Sequence, residues 1–288
     1  MPIYSYMPKK PDKFGIKFWL ATDLESKYLL NGYPYISKDE TRPAGETVGE
    51  HAAFRLVEPY YNTGRNLTTD NFFTSLKLVN QMRTAGISCV GTINRSKREV
   101  PNSFKKTRDE LYSSKIAKHD SISLTSYQGK KNKNVLLLST LHPTLEITPN
   151  EKKTPEVVRF YNSTKYGVDV LDQMAKKYSV KSSSRRWPVQ VFFNILDLAA
   201  INAWIVYKET TEHKNISRRE FILNMADELR KMYISSKLPK LSASNRINND
   251  TCETYPRKRK QCQINECKGN KTLNTCINCK KYVWNLHS

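Results

Sequence analysis

The stretch Asn66-Leu67-Thr68-Thr69-Asp70-Asn71-Phe72-Phe73-Thr74-Ser75, read on through Ile93, decides the fold. Asn66 to Asp70 reads as a short strand that ends on a carboxylate. Leu76 to Thr84 carries a helical pattern that stops at Gly86, and Ile87 to Ile93 is a second strand. Strand, helix and strand in so short a span predict a mixed α/β core. Asp70 stands beside apolar residues that read as core, where a bare carboxylate is costly unless something pairs with it. The same is true of Gly167-Val168-Asp169-Val170-Leu171-Asp172-Gln173-Met174, where Asp169 and Asp172, three apart, share a face of a helix. Carboxylates at two such places suggest a shared cation. Magnesium suits them, because it prefers oxygen ligands and often takes one or two protein carboxylates plus phosphate oxygens. Phosphoryl-transfer chemistry on nucleic acid follows as the expectation.

Working outward, Phe14 to Thr22 alternates as a strand, with Ile16, Phe18 and Leu20 on one face. Tyr28 to Ile36 reads as a second strand interrupted at Asn31-Gly32, a turn or bulge signal. Val48 to Val57 is helical in pattern. Downstream, Ser96 to Pro155 mixes charged residues and turn formers with short apolar runs such as Val135-Leu136-Leu137-Leu138, which predicts a β-rich insertion. Val157 to Tyr161 reads as a further short strand and Tyr166 to Tyr178 as a helix. Pro188 is placed as an early helical residue opening an apolar helix to about Tyr207. Ser217-Arg218-Arg219-Glu220 is a capping-box pattern before the amphipathic run Phe221 to Ile234. The expected divisions are residues 1–95 and 156–237 as two parts of one core, 96–155 as the insertion, 238–256 as a linker and 257–288 as a Cys-rich tail.

The chain of 288 residues carries 48 Lys and Arg against 27 Asp and Glu, a net charge of +21. Such an excess favours a polyanionic partner, since phosphate neutralisation supplies most non-specific nucleic-acid affinity. No uninterrupted apolar run reads as a membrane span, because Val189 to Tyr207 contains Asn194, Asp197 and Asn202. Met1 leads into Pro- and Lys-rich sequence, not a signal peptide. Cysteine is concentrated beyond Thr251, which suggests reduced, metal-type usage and an intracellular, nuclear setting.

Several blocks together resemble one known family, the piggyBac transposases and the cellular proteins derived from them. These are Tyr6-Met7-Pro8-Lys9-Lys10-Pro11 with Phe14-Gly15-Ile16-Lys17, and Gly64-Arg65-Asn66 through Ser75. Val90-Gly91-Thr92-Ile93, Lys97-Arg98-Glu99-Val100-Pro101, Tyr161-Asn162, Gly167 to Met174 and Arg186-Trp187-Pro188 continue in the same order. The resemblance implies an α/β, RNase H-like mixed sheet with flanking helices, a β-rich insertion and a small zinc-binding tail. It implies DDD-type cut-and-paste DNA transposition with insertion at TTAA. Two magnesium ions would be held by three Asp and would stabilise the attacking and leaving oxygens of an in-line displacement. By motif position Asp70 matches the second Asp and Asp169 the third, with Asp172 as an additional acid.

In such proteins the first Asp precedes the Tyr6 block, on an opening strand this sequence does not show. Asp12 and Asp23 do not replace it by position, and Asp23 reads as a turn residue. The expectation is an incomplete triad and no transposase activity, with a domesticated, non-catalytic DNA-binding protein as the alternative. Double-stranded DNA carrying transposon terminal repeats is the expected partner, and a homodimer is compatible with this reading.

In the tail, Cys276-Ile277-Asn278-Cys279 has zinc-ligand spacing, with Cys262, Cys267 and His287 available to complete one Zn²⁺ site. Cys262 and Cys267 are further apart than the usual pair, and Trp284 stands where a Cys is expected. Arg185, Arg186 and Trp187 suit phosphate contact and base stacking, or alternatively a core tryptophan with solvated arginines. Arg257, Lys258, Arg259 and Lys260 read as a nuclear-import signal or a phosphate contact. With the resemblance set aside, Asp70 reads equally as a cap for the helix after it. Asp172 also reads as a surface helix residue, and Asp197 as a hydrogen-bonded core carboxylate.

Overall fold

The computed structural model describes residues 5–6, 14–35, 41–106, 109–184, 186–212, 215–244, 260–261 and 271–272. β1 (Ser5–Tyr6) pairs antiparallel with β2 (Phe14–Gly15), and β3 (Phe18–Thr22) with β4 (Leu29–Pro34). The predicted strand from Phe14 to Thr22 is therefore two strands, divided at Ile16-Lys17. Of the turn or bulge that Asn31-Gly32 signalled, the structure holds the bulge: both residues sit inside β4, opposite Ala21 and Leu20, and the pairing shifts register beside Asn31, between Ala21 and Thr22. Asn31 Nδ2 spends its hydrogen bond on Leu56 O, at 3.0 Å, in the adjoining helix.

That helix, α1 (Val48–Val57), starts on a reciprocal cap in which Thr47 Oγ1 accepts from Glu50 N while Glu50 Oε2 accepts from Thr47 N. It buries Ala52, Ala53, Phe54, Leu56 and Val57. β5 (Asn66–Thr69) leads into α2 (Leu76–Thr84), whose cap is Ser75: its Oγ accepts from Leu78 N at 3.1 Å. Gly86 ends the helix in the left-handed region at φ +68°, as a C-terminal glycine does. Leu78, Val79 and Met82 on α2 are fully buried, each burial contributing roughly 1.5–3 kcal/mol.

β6 (Ser88–Thr92) runs parallel to β5 and is followed by the short α3 (Asn102–Lys105). β7 (Ser114–His119), β8 (Ile122–Lys130) and β9 (Lys133–Ser139) then form antiparallel pairs. β9 also pairs with β6, so all five strands make one mixed sheet in the order β5–β6–β9–β8–β7. The β-rich stretch expected as an insertion thus extends the same sheet that carries β5 and β6.

Val157 to Tyr161 is not a strand but lies within α4 (Glu156–Thr164). Adjacent valines suggest a strand by propensity, yet here Val157 and Val158 form a helical face against Val90, Tyr127 and Leu137. α5 (Gly167–Lys177) follows, then α6 (Trp187–Thr210) with Pro188 in its first turn. Among the described residues α6 alone is long and apolar enough, by length and composition, to cross a membrane. It nevertheless buries Asp197, Leu198, Ile201 and Ile205 against protein, and Leu171 of α5 joins that cluster. α7 (Arg218–Ser244) begins after Ser217, whose Oγ accepts from Glu220 N, and persists into the segment read as a linker. Residues 1–225 and 226–288 form two compact units. In the second, β10 (Lys260–Gln261) pairs with β11 (Lys271–Thr272).

Candidate nucleic-acid site

Asp70 follows the last residue of β5 and is held by a local turn. Its Oδ1 accepts from Phe72 N at 2.9 Å, while its carbonyl accepts from Thr74 N and from Thr74 Oγ1 at 2.7 Å. Capping of α2 falls to Ser75, not to Asp70. The carboxylate is exposed, contrary to the expectation of a buried one, so it stands ready for a charged partner instead of being compelled to have one. What fixes its position lies beneath it. Thr69 and Thr74 hydroxyls meet at 2.8 Å, directly over Gly91 of β6. A Cβ on Gly91 would lie 2.3 Å from Thr74 Oγ1 and 2.4 Å from Thr69 Oγ1, so only glycine lets the strands close here.

Asp169 is placed by a second close approach. A Cβ on Gly167 would lie 2.8 Å from Thr22 Oγ1, so the first turn of α5 rests on the end of β3. Leu171, fully buried, anchors the helix and leaves Asp169 exposed in its first turn. The partial positive charge of a helix N-terminus favours a carboxylate there. Asp172 lies one turn further along and is half-buried.

Tyr161 stands where the charges of both carboxylates reach it. Its hydroxyl lies 3.3 Å from Thr92 Oγ1 at the end of β6, and Thr68 Oγ1 donates to Thr164 Oγ1 at 3.0 Å, tying α4 to β5. Burial raises the Tyr161 pKa, and the negative charges of Asp70 and Asp169 raise it further, although Thr92 opposes them. One phenol thus feels both carboxylates. Lys17 adds a cation on the Asp70 side. Its Nζ lies 3.8 Å from the Trp19 ring centre and 4.6 Å from that of Phe72, two rings stacked at 5.6 Å. Burial lowers the Lys17 pKa while Asp70 pulls it back up.

The donor set is all oxygen, the chemistry magnesium prefers. It is also short: among the described residues no three His, Cys, Asp or Glu side chains gather as a metal site. Asp70 and Asp169 fit magnesium in kind, as oxygen donors. Two other acidic residues are committed elsewhere. Asp23 is a turn residue, its Oδ2 accepting from Glu25 N, Ser26 N and Ser26 Oγ, with Ser26 chiefly responsible for its lowered pKa. Asp197, buried, accepts from Ser179 Oγ at 2.6 Å and Val180 N at 2.8 Å.

Arg186 sits exposed at the start of α6, and Trp187 is 38% exposed, which excludes the core-plug reading. Arg185, Arg257, Arg259 and Lys258 lie outside the described residues, as do Cys262, Cys267, Cys276, Cys279 and His287. Lys260 belongs to β10 by its backbone alone.

A profile of the family described as Transposase IS4 matches residues 1–204. Two human proteins match more distantly. PiggyBac transposable element-derived protein 2 is 24% identical over 217 residues, 69% of this chain and 36% of its own length. PiggyBac transposable element-derived protein 3 is 25% identical over 232 residues, 74% of this chain and 38% of its own length. The cryo-EM structure of a piggyBac transposase synaptic complex with hairpin DNA superposes with a TM-score of 0.76 at 29% identity, covering all of this chain and 64% of that one.

The chain belongs to the piggyBac transposase family.

It spans well under half the length of those two human piggyBac-derived proteins. Its mixed α/β fold is the piggyBac one, and divalent-metal use is general to DDE transposases. Sequence reasoning had Lys17 and Tyr161 inside quoted motif blocks and gave neither a role. The signal available was position: Lys17 closes the Phe14-Gly15-Ile16-Lys17 block, and Tyr161 lies shortly before the Asp169 segment.

Proposed function

We propose that this piggyBac-derived chain binds double-stranded DNA at transposon terminal repeats, and that Asp70 and Asp169 are two of three carboxylates of an RNase H-like strand-cleavage site acting at TTAA. The observation that carries this reading is that Thr68 Oγ1 donates to Thr164 Oγ1 at 3.0 Å, which ties the strand leading to Asp70 to the helix that precedes Asp169, two segments remote in sequence. Support comes from the likeness to a transposase solved with hairpin DNA and from the net charge of +21. Magnesium, when bound, would neutralise charge on the scissile phosphate and lower the pKa of an attacking water. The chain's own residues do the rest. Asp70 and Asp169 provide anionic oxygens, with Asp172 as an acid in reserve on the same helix. Lys17, braced by Trp19 and Phe72, holds a positive charge beside Asp70. Tyr161, whose pKa is raised, stays a neutral hydroxyl beside Thr92 at the end of β6. Arg185, Arg186 and Trp187 would contact phosphate and stack on an unpaired base. Arg257, Lys258, Arg259 and Lys260 would add phosphate contacts or nuclear import, and the cysteine tail one zinc.

A second reading, a domesticated DNA-binding protein without cleavage, is favoured by one observation: the described residues bring no third carboxylate to the pair. Incubation of purified chain with labelled terminal-repeat duplex and Mg²⁺ separates the two. Nicking that disappears in Asp70→Ala and Asp169→Ala supports the first. Salt-sensitive binding without nicking supports the second. Absence of salt-sensitive binding removes both.

A further inference from the structure

Phe72, two residues beyond Asp70, is 46% exposed, yet its ring has little freedom. Its backbone N–H donates to Asp70 Oδ1 at 2.9 Å. Its carbonyl presses on α1, where a Cβ on Gly49 would lie 2.5 Å from that oxygen and 3.2 Å from Phe72 Cδ1. Two rings hold the side chain: Trp19, stacked on it at 5.6 Å with 21° between the planes, and Phe73, edge-on at 5.2 Å. Trp19 is itself buried, with Tyr35 edge-on at 5.7 Å. Shielding Trp19 asks only for an apolar side chain of sufficient size. A fixed ring that still meets solvent offers more, a π-face whose rotamer entropy is already lost.

Lys17 places a cation at the same spot. Its ammonium lies 4.6 Å from the Phe72 ring centre and 3.8 Å from that of Trp19, and the residue is half-buried. The charge of Asp70 reaches it, but among the described residues the ammonium makes no ion pair. Holding a charge partly out of water without a paired anion is costly, and a phosphate would offset that cost. A π-face and a cation side by side are what single-strand recognition uses, the ring for the base and the cation for the backbone. Within a duplex the faces of each base are covered by its neighbours, so a protein ring reaches only an unpaired or extruded base. Two residues of backbone span at most about 7 Å, which puts anything stacked on Phe72 next to Asp70.

We propose that Phe72 and Lys17 form the seat of one unpaired nucleotide of a DNA strand, its base stacked on the Phe72 ring and its phosphate on the Lys17 ammonium, beside Asp70. The proposal rests on the DNA-binding reading above and names the part of the substrate that enters there. It does not require that the strand be cut.

The test titrates the full chain against two forms of a terminal-repeat duplex, one blunt and one with a short single-stranded extension carrying 2-aminopurine. Wild type should bind the extended DNA about tenfold more tightly than the blunt one and quench the 2-aminopurine fluorescence as the base stacks. Phe72→Leu still covers Trp19, so it should melt like wild type while losing both the preference and the quench. Phe72→Trp, which keeps an aromatic face, should retain both. Lys17→Gln should weaken binding of the extended DNA and reduce the slope of log affinity against log salt by about 0.7, one single-strand phosphate contact, whereas Phe72→Leu should leave that slope unchanged. A wild type that binds both DNAs alike overturns the proposal and leaves the DNA-binding reading standing. Absence of salt-sensitive binding to either DNA removes both. A quench that survives Phe72→Leu assigns the unpaired base to another ring and overturns the proposal, as does a salt slope that Lys17→Gln does not change.

Discussion

Helices α2 and α6 are both apolar, yet they treat their apolar residues in opposite ways. On α2 Leu78, Val79 and Met82 are sealed between the sheet and α1. Ser75 caps its start and Gly86 closes its end. On α6 the buried side holds only Asp197, Leu198, Ile201 and Ile205, and the other side carries large apolar groups into solvent. The α2 region folds on its own contacts. The α6 region satisfies one face and leaves the other for something else. The first kind of region also fixes the position of Asp70, through Thr69, Thr74 and Gly91 beneath it.

The sharpest way to break this contrast is to truncate one residue of each kind. Met82→Ala should lower the unfolding free energy by about 3–4 kcal/mol, transfer and cavity terms together. Ile195→Ala should lower it by less than about 0.5 kcal/mol at concentrations where the chain is monomeric. Urea denaturation of both variants checks this. Equal losses would show that α6 is packed as tightly as α2 and would remove the distinction.

Gly91→Ala probes the seam that positions Asp70. The new methyl would press into the Thr69 and Thr74 hydroxyls and come within 2.9 Å of the Thr69 carbonyl. Backbone cannot yield as a long side chain can, so a cost of about 2–3 kcal/mol is expected. Double variants with Thr74→Ala, which vacates the nearest contact, should recover part of it. Additive losses would place the strain elsewhere.

Glu50 sharpens the comparison through pH. It is buried at the head of α1, hydrogen-bonded by Ser75 Oγ and Thr47 N. Burial alone would raise its pKa, but the bonds from Ser75 and Thr47, aided by Lys97, hold it below the ordinary 4.5. A carboxyl depressed in the folded state stabilises above its unfolded value, and that contribution fades as pH falls through the folded one. Stability should therefore decline on acidification below about pH 5, and Glu50→Gln should flatten that decline. At neutral pH Glu50→Ala should cost about 2 kcal/mol, since it strands a buried hydroxyl and a backbone N–H.

Much of the sheet-side region was legible before any coordinates. Val48 to Val57 and Leu76 to Thr84 showed helical periodicity, and Gly86 a stop, that agree with the helices observed, whereas the caps Thr47 and Ser75 were not read. Asp23 as a turn and Asp197 as a bonded core carboxylate were legible for the same reason: local chemistry determines them. Val157 to Tyr161 misread because β-branched propensity is weak and tertiary packing on Val90 and Leu137 overrides it. The convergence of Asp70, Asp169, Lys17 and Tyr161 was only half legible. Motif position picked out the acids, but the companions are brought in by strand order and by two glycine contacts, which no local window contains. The exposure of Asp70 was likewise hidden, because its neighbours Leu67 and Phe73 pack on the core while Asp70 itself does not.

The smallest expected effect tests that last point. Asp70→Asn keeps an Oδ1 able to accept from Phe72 N and changes no packing, so unfolding free energy should move by less than about 0.5 kcal/mol. A buried, structurally paired carboxylate would behave otherwise, losing several times as much. Magnesium supplies the complementary readout. A ligand that binds only the folded state raises stability by RT ln(1 + [L]/Kd), with [L] the free ligand concentration. Mg²⁺ should therefore raise the melting temperature of the wild type measurably and that of Asp70→Asn and Asp169→Asn less. If each Asn variant melts like wild type without magnesium yet loses the magnesium response, Asp70 and Asp169 are held in place for a cation and not for the fold. If the magnesium response survives in both, the carboxylates that bind it lie elsewhere in the chain.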